Sequence, residues 1–518
     1  MLSKRIFPFT FFCMVLSITL VLFYYFGLKQ NFHIDELYTY GLANSYFQPF
    51  PFEKNQWVSG EYYQHYLSPT VDTRFQYRSV YDNQVQDVHP PFYYAIIHTV
   101  SSFIPGVFSK WTGLSINLVI HLLIFGLVFL LLKKLTHHRW LALVGASFWT
   151  LSAGALSSAS FIRMYHLVTL LQVALLYLSL TILSDEIIKK RALLGVALVS
   201  FVGGMTHYYF YLYAFVLVLL VCLVLLLQRK WLGVLFYGGS SLVGVIAALI
   251  SFPAVFTHLT ASNRGLEVMA NLQQTALPRQ NPYLIFIKEG LLLNIRLRYS
   301  ALLCVVLGLG LVIYLWKSKK MTPFWQLICC AIPAGAYIFV VQQISHYQTP
   351  RYIYSIYPMI VISLVILGYF GLRGLFRHPR LPVAIVSVLA VVGIVVSLVT
   401  TSPDYLYESH QSIPELVDKP EEQSIFVLSD QYWKVAQVVH EIQAFDAIYP
   451  SIITNSLTNL PDTVEADHFY VLMLPNEKQD YDNVMKNIAA KYNRVIAKKT
   501  MISEDEILYY LVGEVEVE

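Results

Sequence analysis

Five short motifs place carboxylate, imidazole, guanidinium and phenol side chains at the edges of long apolar runs. The first, His33-Ile34-Asp35-Glu36-Leu37-Tyr38, sets two adjacent carboxylates directly after such a run, close to Phe32 and Tyr40. Apolar surroundings raise a carboxyl pKa toward the range where a general base works. The second motif is Asp87-Val88-His89-Pro90-Pro91-Phe92-Tyr93-Tyr94. Proline suits the first turn of a helix, Asp87 can cap it, and the rigid start fixes where Asp87 and His89 point. Three further clusters are Arg163-Met164-Tyr165, Thr206-His207-Tyr208-Tyr209 and Pro350-Arg351-Tyr352. A solitary arginine or tyrosine at such an edge merely snorkels or joins an interfacial belt. Together, Arg163, His207 and Arg351 put two guanidiniums and an imidazole around one rim, and guanidinium grips phosphate bidentately. A carboxylate base with an arginine-lined phosphate site at a lipid boundary suggests a lipid-phosphate substrate.

The elements that must position these groups follow from composition. The chain has 518 residues, 56% hydrophobic and only 13% charged, where a soluble chain carries about 25% charged residues. Disorder, a disulfide scaffold and a single soluble domain are excluded. The net charge of +4 gives no reason to expect a nucleic-acid partner. It is unevenly spread: residues 401–518 hold 8 basic and 21 acidic side chains, residues 1–400 hold 28 and 11. Cys13, Cys222, Cys304, Cys329 and Cys330 all lie in apolar runs, so neither a disulfide nor a zinc site is expected.

A membrane-crossing helix needs about 20 apolar residues. Eleven stretches qualify, near 7–27, 112–132, 140–159, 164–183, 192–206, 209–227, 231–255, 299–316, 324–344, 353–372 and 382–400. The first is longer than a signal-peptide core and lacks a small-residue cleavage site, so it reads as an anchor. Alternate junctions carry Lys4/Arg5, Lys133/Lys134/Arg139, Lys189–Arg191, Arg229/Lys230, Lys317–Lys320 and Arg373–Arg380. The positive-inside rule makes these cytoplasmic. To keep that alternation, His89–Ile104 must lie on the outer surface as an amphipathic helix. The expected topology is a multi-pass cell-membrane protein with a cytoplasmic N-terminus. Loops 28–111 and 256–298 and the tail 401–518 then face outward. The tail reads as a small α/β unit, with strands at Ser424–Leu428, Phe469–Leu474 and Ile507–Val512 and helices at Val435–Ile442 and Tyr481–Tyr492. It carries no recognised catalytic motif and is expected to be separable from donor binding by truncation after about residue 402.

The five motifs, in this order and topology over residues 1 to about 375, resemble the GT-C fold membrane glycosyltransferases. They are most similar to the family 39-like group that includes protein O-mannosyltransferases, relatives of the aminoarabinose transferases that modify lipid A. The resemblance implies an all-α polytopic body over 1–400 with a small extracytoplasmic α/β accessory domain over 401–518. It implies transfer of a sugar from a polyprenyl-phosphate donor to an envelope glycan, lipid or protein, with membrane lipid as surroundings. Carried over by motif, Asp35 corresponds to the catalytic base and Glu36 to its partner. Asp87, His89, Arg163, Tyr165, His207, Arg351 and Tyr352 fall in substrate-binding motifs, and the attack inverts the anomeric centre. Some relatives need a divalent cation and others do not: either Asp35, Glu36, Asp87 and His89 hold one, or the arginines neutralise the phosphate. The competing reading is a transporter or a flippase of lipid-linked saccharides. Coupled transporters carry ionisable groups at mid-membrane depth, and here the span middles hold little beyond His121 and His166.

Overall fold

The computed structural model describes the chain except residues 1, 52, 186, 274–281, 291–296, 346, 454–456, 465, 475–480, 504–505 and 514–518. Part of the expected loop 256–298 therefore lies outside the described residues. Two compact units emerge, and neither is a continuous stretch: one joins 1–27, 87–93 and 114–404, the other 28–86, 94–113 and 405–518.

The first unit is helical. Among the described residues, eight helices are long and apolar enough to cross a membrane: Ile6–Leu28, Lys110–Thr136, Tyr165–Ser184, Tyr209–Leu227, Trp231–Ser251, Thr322–Ile344, Tyr354–Leu375 and Leu381–Thr400. The expected span 140–159 is instead a broken pair, Arg139–Thr150 and Ala153–Ser160, bent by 56°. Ser152 makes the break, because its hydroxyl accepts from the Ala155 amide and caps the second helix. The other two expected spans are shorter. Lys190–Gly204 has 15 residues, about 22 Å at 1.5 Å per residue against a hydrocarbon core of about 30 Å. The helix Leu297–Ser318 has described side chains only from Leu303. A count of eleven full spans is therefore not reproduced. Where lipid supplies no hydrophobic drive between helices, small residues let backbones meet. At Gly310 a Cβ would strike the Gly371 carbonyl, and at Gly374 the Gly310 carbonyl, which locks Leu297–Ser318 onto Tyr357–Leu375.

The second unit is built on a six-stranded sheet: β1 (Val58–Ser59), β2 (Ser424–Ser429), β3 (Ala447–Ile452), β4 (Phe469–Leu474), β5 (Val495–Ser503) and β6 (Glu506–Val512). Its order is β1-β3-β2-β4-β6-β5, with β2 parallel to both β3 and β4. Phe426, Val471, Met473, Tyr509 and Leu511 form the core with Val484, Met485 and Ile488 of the helix Tyr481–Tyr492. The strand β1 comes from the first loop and pairs with β3 in the register Val58↔Ile448. Directly after it, Gly60 opens the helix Gly60–Leu67 against the tail backbone, where a Cβ would strike the carbonyls of Gln443 and Phe445. The linear division at residue 400 thus misses that the first loop and the tail fold as one body.

A sheet cannot be shared across a bilayer, so loop and tail lie on the same side. The crossings between residues 113 and 405 must then be even in number. Seven full-length helices lie in that interval, so an odd number of the three remaining elements crosses as well. The helix Phe92–Ser101, only ten residues, is too short to cross, as the charge pattern requires.

The shared sheet counts against a separable tail. Truncation after Ser402 removes the partners of β1 and Gly60, and residues 28–86 should then become sensitive to limited proteolysis in otherwise intact protein. Equal protease resistance of the full and truncated chains would show that the loop folds unaided.

Candidate functional site

Two clusters carry the candidate residues, one in each unit. In the sheet-bearing unit, the helix Ile34–Asn44 begins with a reciprocal capping box. His33 Nδ1 accepts the Asp35 amide at 3.1 Å, and the Glu36 carboxylate accepts the His33 amide at 2.7 Å. Asp35 therefore stands in the first turn, at the positive end of the helix dipole, with its side chain 27% exposed. The His33 ring is 3.6 Å from its carboxylate. Since Nδ1 is already an acceptor, that contact is not an ion pair while the cap is intact.

Glu36 points the other way. It is fully buried and its carboxylate lies 3.0 Å from the Lys29 ammonium, itself 1% exposed. Lys29 also donates to the Tyr405 carbonyl at 2.6 Å, and its own carbonyl accepts from the Lys110 ammonium. Burial lowers the Lys29 pKa, and Glu36 offsets part of that. One carboxylate oxygen of Glu36, Oε2, thus serves both the cap and the buried cation, and it ties Lys29 to the turn that presents Asp35.

The helical unit gathers the remaining candidates. Asp87 Oδ2 and His89 Nδ1 are 2.8 Å apart. Burial would raise the Asp87 carboxyl, but His89 and the Arg163 guanidinium outweigh it and hold Asp87 below the ordinary carboxylate range. His207 is shifted well below its usual pKa by burial and by the positive neighbours His89 and Arg163. It is a neutral imidazole whose Nδ1 accepts the Tyr209 amide at 2.9 Å, leaving Nε2–H as a donor. A run of ring contacts joins the motifs. His89 lies 5.6 Å from His207, His207 5.4 Å from Tyr165, and Tyr165 6.0 Å from Tyr352. The Arg351 guanidinium sits 5.5 Å from the Tyr352 ring and 5.8 Å from Phe161, whose ring stacks on Tyr165. Asp87, His89, Arg163, Tyr165, His207, Arg351 and Tyr352 thus meet in one neighbourhood although they span 266 positions of sequence.

The backbone fixes this neighbourhood with polar clamps. Asn117, fully buried, donates to the carbonyls of Ala159 and Phe161 at 2.9 and 3.0 Å and accepts from Tyr93 at 3.3 Å. It therefore ties the turn leading to Arg163 to the helix that follows His89-Pro90-Pro91. The Tyr337 hydroxyl donates to the Tyr352 carbonyl at 2.8 Å and holds the 3-10 turn Pro350–Tyr352. Tyr209 packs 4.8 Å from His207 and 5.8 Å from Tyr352. Asn117, Phe161 and Tyr337 were not among the sequence candidates, and Tyr209 stood in the His207 motif without an assigned role. A polar Asn117 inside an apolar run was the available signal; Phe161, Tyr209 and Tyr337 look like any interfacial aromatic. Deeper in the same unit, His166 bridges Ser158 and His121 at 3.0 and 3.2 Å, so the two mid-span histidines are bonded to one another.

The four donors put forward for a divalent cation are divided between the units, Asp35 and Glu36 in one, Asp87 and His89 in the other. Glu36 is committed to Lys29, and Asp87 to His89. Among the described residues no three His, Cys, Asp or Glu side chains converge as a metal ion needs. The cluster supplies two guanidiniums and a neutral imidazole N–H against one carboxylate, which suits an anion.

Comparison with solved structures shows the fold. The chain matches ArnT from Cupriavidus metallidurans in the apo state over 98% of both chains, with 12% identity and a TM-score of 0.52. ArnT from the same organism bound to undecaprenyl phosphate aligns over 96% of this chain and 97% of that one, with 13% identity and a TM-score of 0.49. No family model matches the chain, and no curated protein matches its sequence. The expected GT-C-like fold, helical body and small sheet-bearing region included, is the one found.

If Glu36 is structural, Lys29→Met should cost about 3–5 kcal/mol by leaving a buried carboxylate unpaired. Adding Glu36→Gln should return part of that loss, read as the unfolding midpoint in detergent. A Lys29→Met protein of wild-type stability would contradict the assignment.

Proposed function

We propose that this protein is a membrane glycosyltransferase that moves a sugar from a polyprenyl-phosphate donor to an envelope glycan, lipid or protein. The observation that supports this most is the convergence of Arg163, Arg351 and His207 beside the Asp87–His89 pair. These groups belong at the ends of apolar helices, at the depth where the phosphate of a membrane-dissolved lipid lies. The ArnT-like fold along the whole chain agrees with it.

In the proposed reaction Asp35 removes the proton of the acceptor hydroxyl as its oxygen attacks the anomeric carbon. The bond from that carbon to the phosphate oxygen breaks, and its electron pair leaves with the polyprenyl phosphate. Attack from the face opposite the phosphate inverts the centre. Arg163 and Arg351 hold the departing phosphate, and the His207 N–H adds a preorganised donor. Asp87 is a counter-charge that keeps Arg163 in place, and Tyr165 and Tyr352 wall the site.

Asp35→Asn keeps size and hydrogen bonding but cannot take the proton. Its turnover should fall by about 10²–10⁴-fold with donor binding preserved. Near wild-type turnover would leave Asp35 a surface carboxylate.

Arg351 offers a sharper test, because charge grows on the phosphate as the bond breaks. Its loss should lower turnover as well as donor affinity. Arg351→Lys keeps the charge but loses the two-pronged fork, and should be impaired almost as Arg351→Ala is. A snorkelling arginine would accept lysine with unchanged turnover, which would remove Arg351 from the phosphate site.

A further inference from the structure

A second basic site lies at the other end of the spans. The helix Lys110–Thr136 passes the Arg163 turn at Asn117 and reaches Lys133 about 24 Å further along, at 1.5 Å per residue. The first turn of Leu381–Thr400 meets that far end, because Val383 and Lys133 line one crevice. Between them opens a crevice of about 530 Å³ lined by Lys133, His137, His138, Arg139, Trp140 and Val383. Four of these six residues carry basic nitrogen groups, and none is a carboxylate. The turn that presents them is built for the purpose: His137 takes the left-handed conformation, φ 60°, ending one helix and aiming the next.

Two helices also begin at this crevice. Arg139–Thr150 starts from His138, and Leu381–Thr400 from Arg380; neither has a side-chain cap or an acidic residue in its first turn. Their positive ends add to the charge of the side chains. The Arg139 guanidinium lies 4.8 Å over the Phe7 ring, which sets its direction by packing. Burial lowers the pKa of His138, and so do the neighbouring Arg373 and His137. Trp140 and Val383 give the same crevice an apolar wall at the membrane edge, suited to a glycerol backbone and the start of an acyl chain.

We propose that this crevice binds the phosphate headgroup of an anionic membrane lipid. A free phosphate ion would meet the same cations, but it would make no use of the apolar wall. The site is distinct from the cluster around Arg163 and Arg351, because it sits at the opposite end of the helices. Its occupant tethers the N-terminal helix, through Phe7 and Arg139, to the helices Lys110–Thr136 and Leu381–Thr400.

Native mass spectrometry of the full-length protein, titrated with phosphatidylglycerol or phosphatidylcholine, tests this. Wild type should retain one phosphatidylglycerol at a lipid concentration where phosphatidylcholine is lost. The double variant Lys133→Glu, His137→Glu, at two exposed positions, should bind phosphatidylglycerol at least about tenfold more weakly. A Lys133→Gln, His137→Gln pair, gentler on folding, should fall between. Sugar-transfer turnover in detergent should be unchanged in both. Equal phosphatidylglycerol retention by wild type and folded variants would overturn the site, as would equal retention of phosphatidylcholine. A thermal shift of wild type by inorganic phosphate but not by phosphatidylglycerol would overturn the lipid as its source.

Discussion

A bilayer core has no water to solvate a charge or an unpaired backbone group, and that constraint shapes this protein. Ionisable side chains are driven to the ends of the helices, where they accumulate on two rims. On one rim, turns and 3-10 segments replace helix and gather Arg163, His207 and Arg351 in one neighbourhood. Several of the polar residues buried within the spans find partners there. Asn117 spends three hydrogen bonds holding the Arg163 turn, and His121 and His166 satisfy each other. Positioning and solvation are therefore solved by the same contacts.

In the other unit the constraint takes a different form. A short loop after an anchor helix cannot bury enough surface to hold a carboxylate still. Here the loop borrows a core: β1 joins the sheet of the distant tail, and the Lys29–Glu36 pair is closed by the Tyr405 carbonyl. The two adjacent carboxylates thereby acquire opposite surroundings. Asp35 stays partly exposed at a helix N-terminus, whereas Glu36 is fully committed inside. Their separation is a matter of one residue of helical phase.

Much of this was legible in the sequence. Hydropathy and the alternation of basic junctions located the helical body, and four of the five motifs named residues that the structure brings together within the helical unit. Spacing could not show that 140–159 breaks at Ser152, because a serine is tolerated in an apolar helix and its cap forms only in three dimensions. The strand β3 was missed because Pro450 interrupts its apolar run, and proline demotes a strand when read locally. β5 was missed because Lys498, Lys499 and Thr500 make half of it read as loop. The union of first loop and tail was invisible for a simpler reason: a two-residue strand has no sequence signal. The burial of Glu36 beside Lys29 had no signal in its motif, because adjacency in sequence says nothing about which way each side chain turns.

The account stands or falls on breaking a bond to phosphate rather than moving an intact lipid. Purified protein in detergent, given a polyprenyl phosphate bearing a labelled sugar and an envelope extract as acceptor, separates the two. Free polyprenyl phosphate should appear in step with labelled acceptor, one for one, and neither should form with Asp35→Asn. In liposomes, the same lipid-linked sugar crossing the bilayer with its phosphate bond intact, and no label on any acceptor, would contradict it.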